Sequence, residues 1–140
     1  MIATRSTTVP VFVDTNIAIY AFGLDELKRA RGRDLLGRQP TISTQVVNEF
    51  LNVCRVKLKL ETDTRHALAR ELMAGCDVVM VDANVVGKAM ALEAHTGLSY
   101  WDCLILASAL LAGCDTLYSE DMQNGQRFEG RLTVVNPFVE

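Results

Sequence analysis

The sequence predicts an α/β protein in which helices cover both faces of a parallel β-sheet. Short runs rich in Val, Ile, Leu and Thr alternate with longer segments whose apolar residues recur at helical spacing. Strands that are separated by helices need crossover connections, and such connections produce parallel strands. Glycines stand at or just after the ends of four helical segments, where a left-handed residue is favoured: Gly37, Gly75, Gly97 and Gly113.

The individual elements follow from local pattern. Strands are expected over residues 9–13, 41–43, 77–81, 116–118 and 132–135, which are short apolar or β-branched runs. Helices are expected over residues 25–37, 45–58, 64–75, 84–95 and 99–112, which are longer and periodic. Residues suited to helix N-caps are Thr15, Asn16, Thr44, Asp82 and Ser99. Because no linker, repeat or low-complexity tract interrupts this order, we expect residues 1–140 to form a single domain.

Composition limits the class of protein. Hydrophobic residues make up 49% of 140 residues, which is enough for a core without disulfide or metal staples. No apolar run approaches the roughly 20 residues of a membrane span, so no membrane association is expected. Residues 1–8 are polar and lack the apolar centre of a signal peptide. The four cysteines form no Cys-x-x-Cys pair, which predicts reduced core thiols in a cytoplasmic protein.

The charge is unevenly distributed along the chain. The net charge of −3 argues against a strongly basic nucleic-acid binder. Residues 28–70, however, contain ten Lys or Arg and four Asp or Glu, a net charge of +6. The rest of the chain has four basic and thirteen acidic residues, a net charge of −9. This asymmetry indicates either a surface that faces a polyanion or ordinary solvated helix faces.

Four acidic residues mark boundaries between predicted elements. Asp14 closes the first strand, and Asp121 comes three residues after the fourth. Glu49 lies early in the helix that follows the second strand, and Asp102 is the single charge in the apolar stretch 98–112. Carboxylates that are buried without partners, or forced together, are costly. A divalent cation removes both costs, because hard cations prefer oxygen ligands.

Each of these residues also has an ordinary structural interpretation. Asp14 with Thr15 and Asn16 would suit an Asx turn or a helix N-cap. On a helical wheel, Glu49 lies at the margin of an apolar arc, where a carboxylate either faces a cleft or reaches solvent. Asp102 could complete a capping box with Ser99. The sequence Ser119-Glu120-Asp121 could be a polar turn.

Taken together, these segments resemble the PIN-domain ribonucleases, and specifically the VapC-like toxins of prokaryotic toxin–antitoxin pairs. The segments that carry the resemblance are Phe12-Val13-Asp14-Thr15-Asn16-Ile17, Gln45-Val46-Val47-Asn48-Glu49-Phe50, Ser99-Tyr100-Trp101-Asp102-Cys103-Leu104-Ile105, Leu117-Tyr118-Ser119-Glu120-Asp121 and Val135-Asn136-Pro137-Phe138. The resemblance implies a three-layer sandwich with a five-stranded parallel sheet. It also implies Mg²⁺ or Mn²⁺ at the acids, cleavage of single-stranded or loop RNA, a cognate antitoxin and a homodimer.

The same resemblance suggests a role for each candidate residue. Asp14, Asp102 and Asp121 are expected to ligate metal directly or through water, and Glu49 to bind a second metal ion or act as the base. The residues expected to support these ligands by hydrogen bonds are Thr15, Asn16 and Ser119. The positively charged segment 28–70 separately suggests that Arg55, Lys57 and Lys59 contact RNA phosphates.

Two other functions remain open from the sequence. A phosphoaspartyl protein also carries an Asp at the end of its first strand. Such a protein would need a Lys at a late strand end or a second Asp two residues after the first, and position 16 is Asn. A non-catalytic PIN-like module that binds nucleic acid or protein is the more serious alternative. Modules of that kind tend to lose acidic residues, whereas all four are present here.

Overall fold

The computed structural model describes residues 9–139. The prediction made for residues 1–8 therefore lies outside the described part of the chain. The strands are β1 Val11–Val13, β2 Thr41–Ser43, β3 Asp77–Val79, β4 Thr116–Tyr118, β5 Arg127–Phe128 and β6 Leu132–Val135. The helices are α1 Thr15–Ala21, α2 Glu26–Leu36, α3 Thr44–Val56, α4 Thr62–Ala74, α5 Ala83–Thr96 and α6 Tyr100–Leu111.

The strands form one sheet in the order β3-β2-β1-β4-β6-β5. All neighbouring pairs are parallel except β5 and β6, which are antiparallel. In the centre, Phe12 of β1 pairs with Thr41 of β2 on one side and with Leu117 of β4 on the other. The predicted α/β class and the parallel sheet flanked by helices are therefore confirmed. The expected count of five strands is corrected by the sixth, short antiparallel strand β5.

Two elements differ from the sequence-based expectation. Helix α1 was not predicted as an element, because Ile17, Ile19 and Tyr20 are poor helix formers and the helix has only seven residues. It forms because Ile17, Ala18 and Ala21 are buried, so tertiary packing outweighs propensity. Strand β5 has two residues, too few to produce an alternating pattern.

The core lies on both sides of the central strands. Phe12 and Val13 of β1 are fully buried, as is Leu117 of β4. Helix α6 is buried from Cys103 to Leu110, which explains why its sequence is apolar on every side. Helices α5 and α6 pack together on the sheet, while α1 packs on α2 and α3 on α4. Among the helices of residues 9–139, none is both long and apolar enough to cross a bilayer.

Helix ends follow the predicted chemistry in part. Asp82 and Ser99 cap α5 and α6 through their side chains, as predicted. Gly97 and Gly113 have φ angles of 73° and 77°, the left-handed conformation that was expected. That expectation is wrong for the glycines after α2 and α4, whose φ angles of −66° and −89° are right-handed. An i→i−4 hydrogen bond simply continues there for one more residue.

One glycine sets the distance between two helices. A Cβ atom at Gly32 of α2 would lie 3.0 Å from the backbone nitrogen of Ala21 and 3.0 Å from the carbonyl oxygen of Ile17. Both of these atoms belong to α1. The absence of a side chain therefore lets α2 approach the backbone of α1 directly.

Three of the four free cysteines, Cys54, Cys103 and Cys114, are buried as predicted, and Cys76 is half-buried.

Candidate functional site

The candidate site lies at the carboxyl ends of the central strands. Asp14 follows β1 directly, and its backbone nitrogen donates to the carbonyl of Tyr118 at 2.9 Å, which extends the β1–β4 pairing. Ser119 and Asp121 follow β4 within three residues. Helix α3 starts immediately after β2 and carries Glu49 in its second turn. In a parallel sheet these ends meet at one edge, where ligands are bound.

Asp14 is the most buried of the four carboxylates, at 6% exposure. Its Oδ1 accepts a hydrogen bond of 2.7 Å from the backbone nitrogen of Thr15. Its Oδ2 accepts one of 2.8 Å from Oγ of Ser119. Burial raises the pKa of Asp14 to about 6 despite these two bonds, and nearby Glu49 and Asp121 add to the rise. Asp14 thus caps α1, as its ordinary interpretation proposed, while its carboxylate belongs to an acidic group.

Glu49 is connected to this group through Thr15. The Thr15 hydroxyl donates a hydrogen bond of 2.9 Å to Oε1 of Glu49. The Glu49 side chain is half-buried at the margin of the apolar face of α3, where the helical wheel put it. Its pKa is raised chiefly by burial, and further by the charges of Asp102 and Asp121.

Asp121 is held in place by two of the predicted supporting residues. The Asn16 amide Nδ2 donates to Oδ2 of Asp121 at 3.1 Å, while Asn16 Oδ1 accepts from the backbone nitrogen of Glu120 at 3.2 Å. The Ser119 hydroxyl oxygen accepts from the backbone nitrogen of Asp121 at 3.2 Å. Ser119 therefore joins Asp14 to Asp121, and Asn16 fixes the loop that follows β4.

Asp102 is not a complete capping-box residue. Its backbone nitrogen donates to Oγ of Ser99 at 3.1 Å, so Ser99 is the N-cap of α6. The reciprocal bond from the backbone nitrogen of Ser99 to the carboxylate of Asp102 is absent among the hydrogen bonds of residues 9–139. The carboxylate is half-buried, and burial raises its pKa; a hydrogen bond with the Ser99 side chain acts in the opposite direction, and nearby Asp121 adds to the rise. The Asp102 carboxylate therefore interacts with the side chain of the N-cap residue Ser99, but the reciprocal bond to the backbone that would complete a capping box is not formed among the described residues.

Within the described residues, no ion pair offsets these charges. The ion pairs formed within residues 9–139 involve Asp34, Glu120 and Glu129, and none of the four candidate carboxylates. An oxygen-rich set with unbalanced negative charge fits a hard divalent cation. As they stand, however, no three His, Cys, Asp or Glu side chains in the described part of the chain are arranged to hold one ion. The carboxylates are thus neighbours joined by hydrogen bonds, not a preformed ligand cage.

The basic residues predicted to contact RNA lie differently from one another. Lys57 lines a cleft of about 430 Å³ together with Glu49 and Asp121. The Arg55 guanidinium donates to Oδ1 of Asn52 at 3.1 Å, and these two residues share one face of α3. Lys59 is exposed in the turn after α3, with a φ of 53°. Of the three, the structure brings Lys57 to the acidic cleft itself.

Sequence reasoning missed one group beside the site. Lys28 forms an ion pair of 2.8 Å with Glu120 and donates to the Tyr20 hydroxyl at 3.1 Å. Tyr20 donates in turn to the other oxygen of Glu120 at 2.5 Å. The ammonium of Lys28 also lies over the ring of Phe138, 5.3 Å from its centroid. This group ties the residue before Asp121 to α2, and positions so far apart along the chain carry no signal for it.

The geometry defines an α/β protein with an acidic site at the carboxyl edge of its sheet, and comparison with known proteins identifies its family. The model of the PIN domain family matches residues 11–124, so the chain belongs to the PIN domain family. The resemblance to VapC-like PIN proteins noted in the sequence is thereby confirmed. A comparison of the sequence with those of curated proteins gave no match.

Solved structures with the same fold include bacterial toxins and toxin–antitoxin complexes. A chain of a toxin–antitoxin complex from Klebsiella pneumoniae is 26% identical, with a TM-score of 0.65 over 91% of this chain and 98% of that one. VapC20 of Mycobacterium tuberculosis, described as a sarcin–ricin loop cleaving toxin, is 19% identical, with a TM-score of 0.64 over 79% and 89%. DNA-bound VapBC of Salmonella typhimurium is 17% identical, with a TM-score of 0.66 over 91% and 97%. Because the last two are only 19% and 17% identical to this chain, they show a shared fold and nothing more.

Proposed function

We propose that this protein is a Mg²⁺- or Mn²⁺-dependent endoribonuclease and the toxin of a toxin–antitoxin pair. The observation that carries the proposal is the joined set of Asp14, Glu49 and Asp121, linked through Thr15, Asn16 and Ser119, without an ion-pair partner within residues 9–139. Raised pKa values at Asp14 and Glu49 indicate that the site disfavours its own negative charge. A site of this kind gains from a cation, and it lies in a PIN fold.

The residues divide the work as follows. Asp14, Asp102 and Asp121 would hold the metal ion, and the ion would supply positive charge to offset that of the phosphodiester. Glu49, with one oxygen bonded to Thr15, would use its other oxygen as the acceptor for a proton from the attacking water. Ser119 and the backbone of Thr15 keep Asp14 in one orientation.

The remaining surface fits a polyanionic substrate and a basic inhibitor. Lys57 at the rim of the acidic cleft, with Arg55 and Lys59 nearby in sequence, would contact phosphates on either side of the scissile bond. An antitoxin would place an Arg or Lys near Asp14 and Asp102, where the chain itself supplies no cation among its described residues. The similarity to a chain of a toxin–antitoxin complex supports such a partner. We further expect a cytoplasmic homodimer.

A non-catalytic nucleic-acid-binding module is the second candidate. It is favoured by the finding that no three of the acidic side chains in residues 9–139 are arranged to hold one ion. Such a module would bind RNA through its basic residues and would leave the phosphodiester bonds intact.

Cleavage assays separate the two functions. Purified protein should cut RNA with Mg²⁺ or Mn²⁺ and stop when EDTA is added. Asp14→Asn should lower kcat/KM by roughly 100-fold or more, as expected for removal of a charge used in the transition state. Asp63→Asn, which changes an exposed carboxylate in the first turn of α4, is the matched control and should cut normally. Binding without cleavage under all of these conditions would favour the non-catalytic module.

A further inference from the structure

A second cleft, with a different character, adjoins the acidic site. It has a volume of about 650 Å³ and runs between α3 and the start of α6. Glu49 lines both this cleft and the acidic one that contains Asp121. Its size is that of a small-molecule site. Whatever occupies it therefore lies next to the proposed reacting phosphate.

The lining of this cleft combines apolar and amide groups without a net positive charge. Val53, Val81 and Leu104 form the apolar part. Asn48 and Asn52 present exposed amides from successive turns of α3. Apart from the Glu49 carboxylate that it shares with the acidic cleft, the lining is uncharged, and a surface with paired hydrogen-bond donors and acceptors suits a heteroaromatic base better than a phosphate.

Trp101 supplies the aromatic surface. Its side chain is 65% exposed, and by volume it is the largest of the exposed hydrophobic side chains within residues 9–139. Its ring meets that of Tyr100 edge to face, with centroids 5.8 Å apart, which fixes it without covering it. Exposed aromatic side chains next to a polynucleotide path are platforms on which unpaired bases stack.

Gln45 provides an independent indication that the cleft takes a ligand. Its Nε2 donates to the backbone carbonyl of Trp101 at 3.1 Å, which ties α3 to the start of α6. Its Oε1 is buried and has no hydrogen-bond donor among the residues that the structure describes. An acceptor left in this state is costly, and the amino or imino group of a base satisfies it once the Gln45 amide turns toward the cleft that the residue lines.

From this juxtaposition we propose that the cleft binds one unpaired nucleobase of the RNA, stacked on Trp101 and read by the amides of Gln45, Asn48 and Asn52. The proposal rests on the proposed function, because it makes the base a neighbour of the phosphate that is cut. It gives a structural reason for the single-stranded or loop RNA that the family resemblance implies, since a base inside a duplex cannot enter the cleft. Arg55, bonded to Asn52, is placed to contact the phosphate of the same nucleotide.

Tryptophan fluorescence tests the stacking directly, because Trp101 is the single tryptophan of the chain. In EDTA, a short single-stranded oligoribonucleotide should quench the emission in a saturable manner. An abasic ribose-phosphate oligomer of the same length and charge should not. Equal quenching by the abasic oligomer, or an emission change that depends on protein concentration in the absence of RNA, would overturn the proposal. The second result would assign the cleft to another copy of the chain.

Kinetics in Mg²⁺ or Mn²⁺ provide a second measurement. Stacking binds substrate and transition state alike, so Trp101→Ala should raise KM by roughly 5- to 150-fold with kcat unchanged. Trp101→Phe should restore most of the loss, and Leu111→Ala, an exposed change at the far end of α6, should have no effect.

Cleavage with an unchanged KM in Trp101→Ala would refute the base site and leave the nuclease assignment intact. Failure of the wild type to cut, with base-dependent quenching in EDTA, would refute only the nuclease assignment.

Discussion

Ser119 donates a hydrogen bond of 2.8 Å from its Oγ to Oδ2 of Asp14, and both side chains are buried. The same hydroxyl oxygen accepts a hydrogen bond from the backbone nitrogen of Asp121. One small residue therefore sets the orientation of one carboxylate and the backbone position of another. The bond lowers the pKa of Asp14, but burial acts in the opposite direction and prevails, so that the pKa rises to about 6.

The raised pKa of Asp14 predicts a pH-dependent stability for the metal-free protein. The folded state holds this proton up to about pH 6, whereas the unfolded chain releases it near pH 3.8. The stability that Asp14 contributes through this proton is thus fully present below about pH 4 and is lost as the pH rises through about 6. Across this range the free energy of unfolding should fall by about 3 kcal/mol. In EDTA, Asp14→Asn should flatten this dependence and melt higher than the wild type at pH 7. Urea denaturation of both proteins across this range measures it, with Asp63→Asn expected to keep the wild-type profile.

Asp102 gives a second prediction, because its carboxylate does not complete a capping box with the backbone of Ser99 among the described residues. Its removal relieves repulsion with Asp121 and Glu49. Asp102→Ala should therefore melt no lower than the wild type without metal, while the rise in melting temperature on adding Mg²⁺ or Mn²⁺ shrinks or disappears. Asp82→Ala is the matched control, since the Asp82 side chain does cap α5, and it should cost about 1 kcal/mol and keep the metal response. A lower midpoint with an intact metal response in Asp102→Ala would exclude it as a ligand.

The basic residues at the end of α3 predict the salt dependence of RNA binding. If Arg55, Lys57 and Lys59 each contact a phosphate of single-stranded RNA, their replacement by Ala should reduce the slope of log K against log salt by about 2. The comparison is a triple variant of exposed basic residues elsewhere, with Arg38, Arg70 and Arg127 changed to Ala. Equal slopes for the two triple variants would identify the first set as ordinary surface charge.

The proposed partner gives a fourth prediction. Expression of the protein alone should arrest growth, and co-expression with a small DNA-binding protein encoded next to it should yield a stable complex and relieve the arrest. Asp14→Asn should be harmless when expressed alone, because the proposed chemistry is lost. A harmless wild type that forms no complex with the neighbouring product would argue against a toxin role.

Much of this fold follows from residue spacing alone. The strand over residues 116–118 and the helix over residues 99–112 were predicted to within one residue at each end, because the helix is an almost unbroken apolar run and the strand is a short β-prone run bounded by polar residues. Helix α1 and strand β5 were missed, since each depends on contacts made far away in the sequence. Local pattern reports local energetics, and these two elements exist because of tertiary packing.

The site was predictable to a similar extent. The positions of Asp14 and Asp121 follow from parallel topology, which brings successive strand ends to one edge. The connections did not follow from it: the bonds from Thr15 to Glu49 and from Asn16 to Asp121 depend on the turn of α1 that sequence reasoning did not assign. The ion pair of Lys28 with Glu120 spans 92 positions and leaves no pattern in the sequence.

The close contact at Gly32 has a consequence for the acidic residues, although it touches none of them. Thr15 and Asn16 belong to α1, and the backbone of α1 rests at 3.0 Å from where a Cβ of residue 32 would stand. A methyl group at that position must push α1 away from α2. Helix α1 would carry its two hydrogen-bond donors, the Thr15 hydroxyl and the Asn16 amide, with it. The alignment of Glu49 and Asp121 therefore depends on a helix-to-helix distance fixed by a glycine, which inspection of the acidic residues alone would overlook.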